Sequence, residues 1–254
     1  MAANRIRLFL RGDDAGLSVG TNQALEHAVR RGALRNVGIM AAAPAWEDAA
    51  QRFKDLPGLC LGLHVALNCE WNQPRWGPVA PPHLVPDLLE PDGTFTRTPN
   101  ILHERHASVE QMLAEVEAGL ARLRRAGLRI GYLDEHMGIG WVAGLRQRLD
   151  DLARREGLVT MAPLQPLKLP AGEESRLARL ESALHQAPPG DYLLVFHPDA
   201  AASFRSTVHS EMNVPAIAAE RDSDRLFLLD PELPRLARRL HVDLCTFADL
   251  ASAS

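Results

Sequence analysis

The chain has few cysteines, no excess of positive charge, no long apolar run and no recognisable leader, and each absence removes a class of function. Its three cysteines, Cys60, Cys69 and Cys245, form no CxxC or other zinc-like spacing. An odd number of widely separated thiols suits a reducing compartment, so all three are expected as packing residues. A net charge of −4 offers no positive field to a phosphate backbone. The arginine-rich stretch of Arg122, Arg124 and Arg125 alternates with apolar residues as a solvated helix face does, so no nucleic acid is expected as a partner. No segment approaches the ~20 apolar residues of a membrane span, and Met1-Ala-Ala-Asn-Arg leads directly into an apolar run without the n-region, h-region and cleavage site of a secretion signal. A cytoplasmic protein is the expectation, with no membrane partner. Internal repeats and low-complexity tracts are absent too.

What remains is ordinary globular composition, 46% hydrophobic and 24% charged over 254 residues, enough for one large α/β domain spanning 1–254. Short apolar runs read as strands at Arg5–Arg11, Asn36–Ala42, Leu59–Leu67, Arg129–Leu133, Leu158–Met161, Asp191–Phe196 and Val242–Phe247. Between them lie helical patterns at Asn22–Arg31, Ala45–Lys54, Val109–Ala126, Val142–Arg155, Glu173–Gln186 and Pro231–Leu240. Several end in a basic residue or alanine followed by glycine, as helix C-caps do. This alternation predicts an α/β fold with a parallel sheet covered by helices; about seven strands suit a (β/α) barrel that is incomplete or distorted. The exception is a long loop insertion at about 68–107, rich in proline and carrying Trp71, Trp76 and Phe95. Its aromatics point to a partly ordered lid or substrate wall.

Four motifs carry chemistry. Asp13-Asp14 follows the first strand, and two adjacent carboxylates there are costly unless something positive meets them. His64 interrupts the apolar strand Leu61–Leu67. Asp134 and His136 close another strand; two apart in an extended chain, they would face the same way, so Asp134 could orient the His136 imidazole or tune His197. His197 ends the run Tyr192–Phe196. Taken singly, each is as well explained by a cap, a core histidine or a polar loop. All four, however, fall at or near the C-terminal ends of predicted parallel strands, the rim where such folds build active sites. Two histidines with one carboxylate make a facial metal triad with open positions, and a spare carboxylate, Asp13, and a spare histidine, His197, suit metal-assisted hydrolysis.

At these residues the sequence resembles the YdjC-like (ChbG/HpnK) carbohydrate deacetylase family, over nearly the whole chain. Asp13-Asp14-Ala15-Gly16-Leu17-Ser18 is like that family's ADDFGLS, Pro44-Ala45-Trp46-Glu47 like PAFEEA, and Gly62-Leu63-His64 like GLHxxL. Leu133-Asp134-Glu135-His136 is like LDSH and His197-Pro198 like CHPG, and the closing Val242–Leu250 is like its C-terminus. The resemblance implies a barrel of the glycoside hydrolase/deacetylase type and one divalent metal ion, magnesium or zinc, held by Asp14, His64 and His136. It makes Asp13 the general base and His197 the general acid, acting on a small N-acetylated sugar or oligosaccharide. The chain departs from the family in three places. His136-Met137-Gly138-Ile139-Gly140 stands where HxHxH is usual, Ala15 replaces a phenylalanine, and Arg11-Gly12 replaces a small polar lead-in. Two other functions remain open on this fold: a metal-dependent sugar isomerase or epimerase, with more carboxylate ligands, and a non-catalytic sugar-binding protein. A homodimer is the default assembly for a barrel of this size.

Overall fold

The computed structural model describes residues 5–160, 164–204 and 206–251. Among the described residues, seven parallel strands form one sheet: β1 Ile6–Ala15, β2 Asn36–Ile39, β3 Cys60–Val65, β4 Ile130–Glu135, β5 Gln165–Pro166, β6 Gly190–Phe196 and β7 Asp243–Leu244. Their order is β4-β3-β2-β1-β6-β5, with β7 set against β1. Among the described residues β4 and β5 are not paired with each other, so the sheet is a curled half-barrel rather than a closed ring. One flank of β1 changes partner along its length. Arg7 and Leu8 pair with β7, whereas Arg11, Gly12 and Ala15 pair with β2. Asn36 seals this junction: its side-chain amide donates to the carbonyls of Leu10 and Cys245 at 3.0 and 3.1 Å, and its Oδ1 accepts from Phe247 N at 2.7 Å.

The helices are α1 Val19–Arg30, α2 Trp46–Phe53, α3 Pro99–Glu104, α4 Val109–Arg125, α5 Leu145–Arg155, α6 Arg176–Gln186, α7 Ala201–Phe204, α8 Val214–Leu229, α9 Glu232–Arg239 and α10 Ala248–Ala251. Ser18 caps α1 and Ser108 caps α4, each side chain accepting from a backbone N–H in the first turn, which satisfies donors the helix leaves free. α1 lies so close to β1 that a Cβ on Gly12 would run into the methyls of Leu25 and Leu34. None of the described helices is long and apolar enough to cross a membrane.

Phe9, Cys60, Tyr132, Cys245 and Phe247 form a small core cluster of strand and post-strand residues, with Phe9 stacked on Phe247 and Tyr132 edge-on to it. Nearly every other buried apolar side chain belongs to one large cluster shared by sheet and helices. The three cysteines are buried and free, as packing residues are.

The structure moves several boundaries. β1 runs on to Ala15, and β4 through Glu135, so the acidic motifs lie inside strand ends rather than after them. The expected strand Leu158–Met161 reduces to one bridge between Val159 and Tyr132, with Met161 outside the described residues. β5, α3 and α8 were not expected. The segment 68–107 holds two short 3-10 turns and α3. Its Trp71, Trp76, Val85, Leu88, Phe95 and Leu102 join the main core, so Trp76 and Phe95 pack the fold and present no stacking face to a sugar.

Candidate metal centre and active site

The site is built where four strands end. β1 is buried without a break from Leu8 to Ala15; within it Asp14 has a φ of 63°, in the left-handed region, and the β1–β2 register slips between Gly12 and Ala15. Aspartate tolerates that conformation better than most residues, and such a bulge re-aims side chains that a flat strand would send to opposite faces. Asp13 and Asp14 consequently line one cleft although they are consecutive. His64 sits directly opposite Asp134 in the β3–β4 ladder. His136 begins a kinked 3-10 segment, His136–Gly144, in which Met137, Gly138 and Ala143 all have positive φ.

Asp14, His64 and His136 converge. Asp14 Oδ1 lies 3.5 Å from His64 Nε2 and 3.3 Å from His136 Nδ1, and those two nitrogens are 3.3 Å apart. All three residues are buried, and Asp14 Oδ1 has no hydrogen-bond partner of good geometry. An unpaired buried carboxylate oxygen facing two imidazole nitrogens is a donor set for a divalent cation, with the mixed N/O character that suits zinc-like ions and leaves positions open. A second triad, Asp13, His64 and Asp134, is close enough to be a ligand group. It already has its cation: the Arg11 guanidinium donates to both oxygens of Asp13 at 2.6 and 2.7 Å and lies 3.0 Å from Asp134 Oδ2. The first triad is therefore the metal candidate.

Every buried charge here has a partner. Burial opposes ionisation of Asp14, but the Arg221 guanidinium, 2.6 Å from Oδ2, and the two imidazoles outweigh it and hold the carboxyl well below its usual range. Burial likewise works against His136, and the Glu70 and Asp14 carboxylates overcome it, raising the imidazole to about 9. Burial disfavours the His64 cation as well; Asp134 and Asp13 win, and its pKa lies well above the ordinary value. Burial opposes the Asp134 anion too, but Arg11 and then His64 draw its pKa down.

Asp134 meets neither His136, which its spacing suggested it would orient, nor His197, which it was expected to tune. Its Oδ2 is 2.9 Å from His64 Nδ1, because the strand register sets those two side by side while His136 has already left the strand. His197 is the one exposed member, with 46% of its side chain open to solvent; its Nε2 stands 3.9 Å from Asp13 Oδ2, and its backbone N–H is fixed by Asp224. Asp199, from the same motif, turns away to accept from Thr21 in α1. Glu135 lines the same cleft, but its carboxylate accepts from Gly140 N and Arg146. A side chain at position 140 would collide with that carboxylate, so Glu135 fills the room beside Gly140.

Three participants were not singled out in the sequence. Glu70, from the segment after β3, places Oε2 3.1 Å from His136 Nε2. Arg221 reaches Asp14 from α8. Arg11 stands out in the sequence only as a departure in the strand lead-in. An acidic residue six positions after His64 was a usable signal for Glu70, whereas nothing near Arg221 in the chain links it to Asp14. Glu70 and Arg221 join Asp13, Asp14, His64, His136 and His197 in lining a cleft of about 330 Å³ whose apolar side is Trp71, Met137, Val195, Met212 and Ile217.

This arrangement can hold a cation next to a fixed carboxylate and a solvent-facing imidazole, the requirements of metal-assisted acyl hydrolysis. Several known proteins are similar to this chain. Over 260 residues the chain is 24% identical to a carbohydrate deacetylase of Thermoanaerobacter pseudethanolicus, covering 96% of this chain and 98% of that one. It is 30% identical to a carbohydrate deacetylase of Brevibacillus brevis over 131 residues, 52% of this chain and 49% of the relative. In that match, and in a similar one to the Halalkalibacterium halodurans protein, the alignment spans about half the relative's length. Among solved structures, a putative cellobiose-phosphate cleavage protein of Enterococcus faecalis superposes with TM-score 0.77 at 17% identity, covering 97% and 99% of the two chains. A mutant of a CE4 family pseudoenzyme with restored activity superposes at 0.50 and 9% identity, covering 98% and 68%. These likenesses show the fold, a distorted barrel. The model of one family, described as YdjC-like protein, matches residues 7–239, and the chain belongs to that family.

Proposed function

We propose that the protein is a metal-dependent hydrolase that removes the acetyl group from an N-acetylated sugar or oligosaccharide. The observation that carries this is the unpaired Asp14 Oδ1 facing His64 Nε2 and His136 Nδ1, with Asp13 and His197 beside it. The sequence relatives named as carbohydrate deacetylases support the choice of substrate class.

A divalent ion held by Asp14, His64 and His136 would supply Lewis acidity, acidifying water and polarising the acyl carbonyl. Two imidazoles in the donor set favour zinc over magnesium. The chain's own groups do the rest. Asp13 accepts a proton from the attacking water as the O–C bond forms. Arg11 engages both of its oxygens but leaves each a lone pair, so the carboxylate is locked in direction with a lone pair open to the water. As the amide C–N bond breaks, the leaving nitrogen must be protonated, since an amine anion cannot depart near neutral pH. His197 is the group placed to donate that proton, being close to Asp13 and open to the cleft. A single ligand carboxylate favours hydrolysis over sugar isomerisation.

The test is acetate release from N-acetylglucosamine, its short oligomers and other N-acetylated sugars, by protein reconstituted separately with zinc, magnesium, manganese and cobalt. Release in at least one combination, abolished by chelator, is the expected result. A change in the sugar skeleton without acetate would point to isomerisation instead, and binding without turnover in every metallated sample to a sugar-binding role.

A further inference from the structure

Each imidazole of the triad has a second nitrogen, and both are met by a carboxylate. On His64, Nε2 faces Asp14 and Nδ1 meets Asp134, which lies on the neighbouring strand. On His136 the two nitrogens exchange roles: Nδ1 faces Asp14 and Nε2 meets Glu70. Glu70 is only 7% exposed, and its Oε2 lies at the nitrogen turned away from Asp14 and His64, so it is no fourth ligand of the same ion. Metal-binding histidines characteristically give their remaining N–H to a carboxylate or carbonyl, which fixes the ring's tautomer and direction and strengthens it as a donor.

We propose that Glu70 is the positioning residue for His136, accepting from Nε2–H and so presenting the Nδ1 lone pair to the metal, the counterpart of Asp134 for His64. The proposal rests on the metal-site reading given above. The two partners differ in origin. Asp134 is set by β-sheet register, whereas Glu70 belongs to segment 68–107, held by Arg97 donating to the Glu70 carbonyl at 3.2 Å and by Cys69 N donating to Thr96 O at 2.8 Å. The next residue, Trp71, lines the cleft. One imidazole of the metal centre is thereby oriented by the same segment that forms a wall of the substrate cleft, and the affinity for metal depends on that segment's placement.

The test is the zinc dissociation constant of the full chain, measured by competition with a chromophoric chelator for wild type, E70Q, E70A and, as a control elsewhere in the segment, E90Q. Glu90 pairs with Arg105 away from the triad. E70A is expected to raise the constant about 10–100-fold, the usual consequence of losing such a partner. E70Q keeps an acceptor oxygen without the charge and should fall between wild type and E70A, while E90Q should match wild type. The visible spectrum of the cobalt-substituted E70Q protein should differ in intensity from wild type, which a role confined to folding would not produce. Wild-type affinity in both Glu70 variants overturns the proposal and leaves the metal site standing; should E70A fail to fold, wild-type affinity in E70Q alone is decisive against it. No zinc bound by wild type overturns the metal site and the proposal together.

Discussion

Asp13 and Asp14 are adjacent in the chain, yet a different arginine neutralises each. Arg11 takes both oxygens of Asp13, while Arg221 takes Oδ2 of Asp14 and leaves Oδ1 free. This division separates the two carboxylates: one is fixed in orientation by paired hydrogen bonds, the other keeps an oxygen without a hydrogen-bond partner. Removing a partner from a buried pair leaves an uncompensated charge, which costs about 3–5 kcal/mol. Arg221→Met should therefore lower the denaturant midpoint of metal-free protein, and added divalent ion should restore part of the loss by occupying the freed carboxylate. Unfolding curves with and without metal check this; a metal-free variant as stable as wild type would contradict the pairing. Asp14, His64 and His136 could be singled out from residue type and position alone, because apolar strands make ionisable intrusions conspicuous. Arg221 could not, since an arginine on a helix ordinarily reads as a solvated one.

Two elements decide how well those residues are held. α1 packs onto β1 across Gly12, and Gly12→Ala would push a methyl into Leu25 and Leu34. Overpacking of that kind costs about 1–3 kcal/mol, so the variant should lose stability in thermal unfolding, and an unchanged midpoint would show that α1 can move aside. Segment 68–107 is tied to α4 through Glu115, whose buried carboxylate accepts from Val79 N and Ala80 N at 2.9 and 2.8 Å. Burial pushes this carboxyl up to about 7, against those two bonds, from an ordinary value of 4.5. Between these values the folded chain keeps a proton that the unfolded chain has released, so this group's contribution to stability falls as pH rises from 4.5 through 7. Glu115→Gln should flatten the fall in stability between pH 5 and pH 8; identical pH dependence in both proteins would contradict the shifted carboxyl. The strands and most helices were legible because their apolar periods are clean. α8 was not. Its buried positions, Ala218, Arg221, Phe227 and Leu228, include the arginine that serves Asp14, and the charge erases the apolar stripe that would have announced a helix. β5, two residues long, carries too few residues for a period to show.

At the scale of the whole molecule, the parallel sheet gathers at one rim what the chain spreads from Arg11 to Arg221. The barrel-like architecture and its functional edge followed from the βα alternation and from ionisable residues recurring at strand ends. Cross-strand detail did not, because register decides it: His64 meets Asp134 through the β3–β4 pairing, a relation that spacing within one strand cannot supply. Nor did the role of segment 68–107, whose prolines hid both a core-packing function and Glu70. The central claim is that a cation at Asp14, His64 and His136 works with Asp13 to hydrolyse an acetamide. It is tested most directly by titrating metal-free wild type and Asp13→Asn with the most activating ion and recording bound metal and acetate release together. The account predicts that wild-type activity rises to a break at one ion per chain. Asp13→Asn should bind the same ion with turnover lower by about 10²–10⁴, the worth of a general base. Activity that ignores the metal, or wild-type turnover in Asp13→Asn, would contradict it.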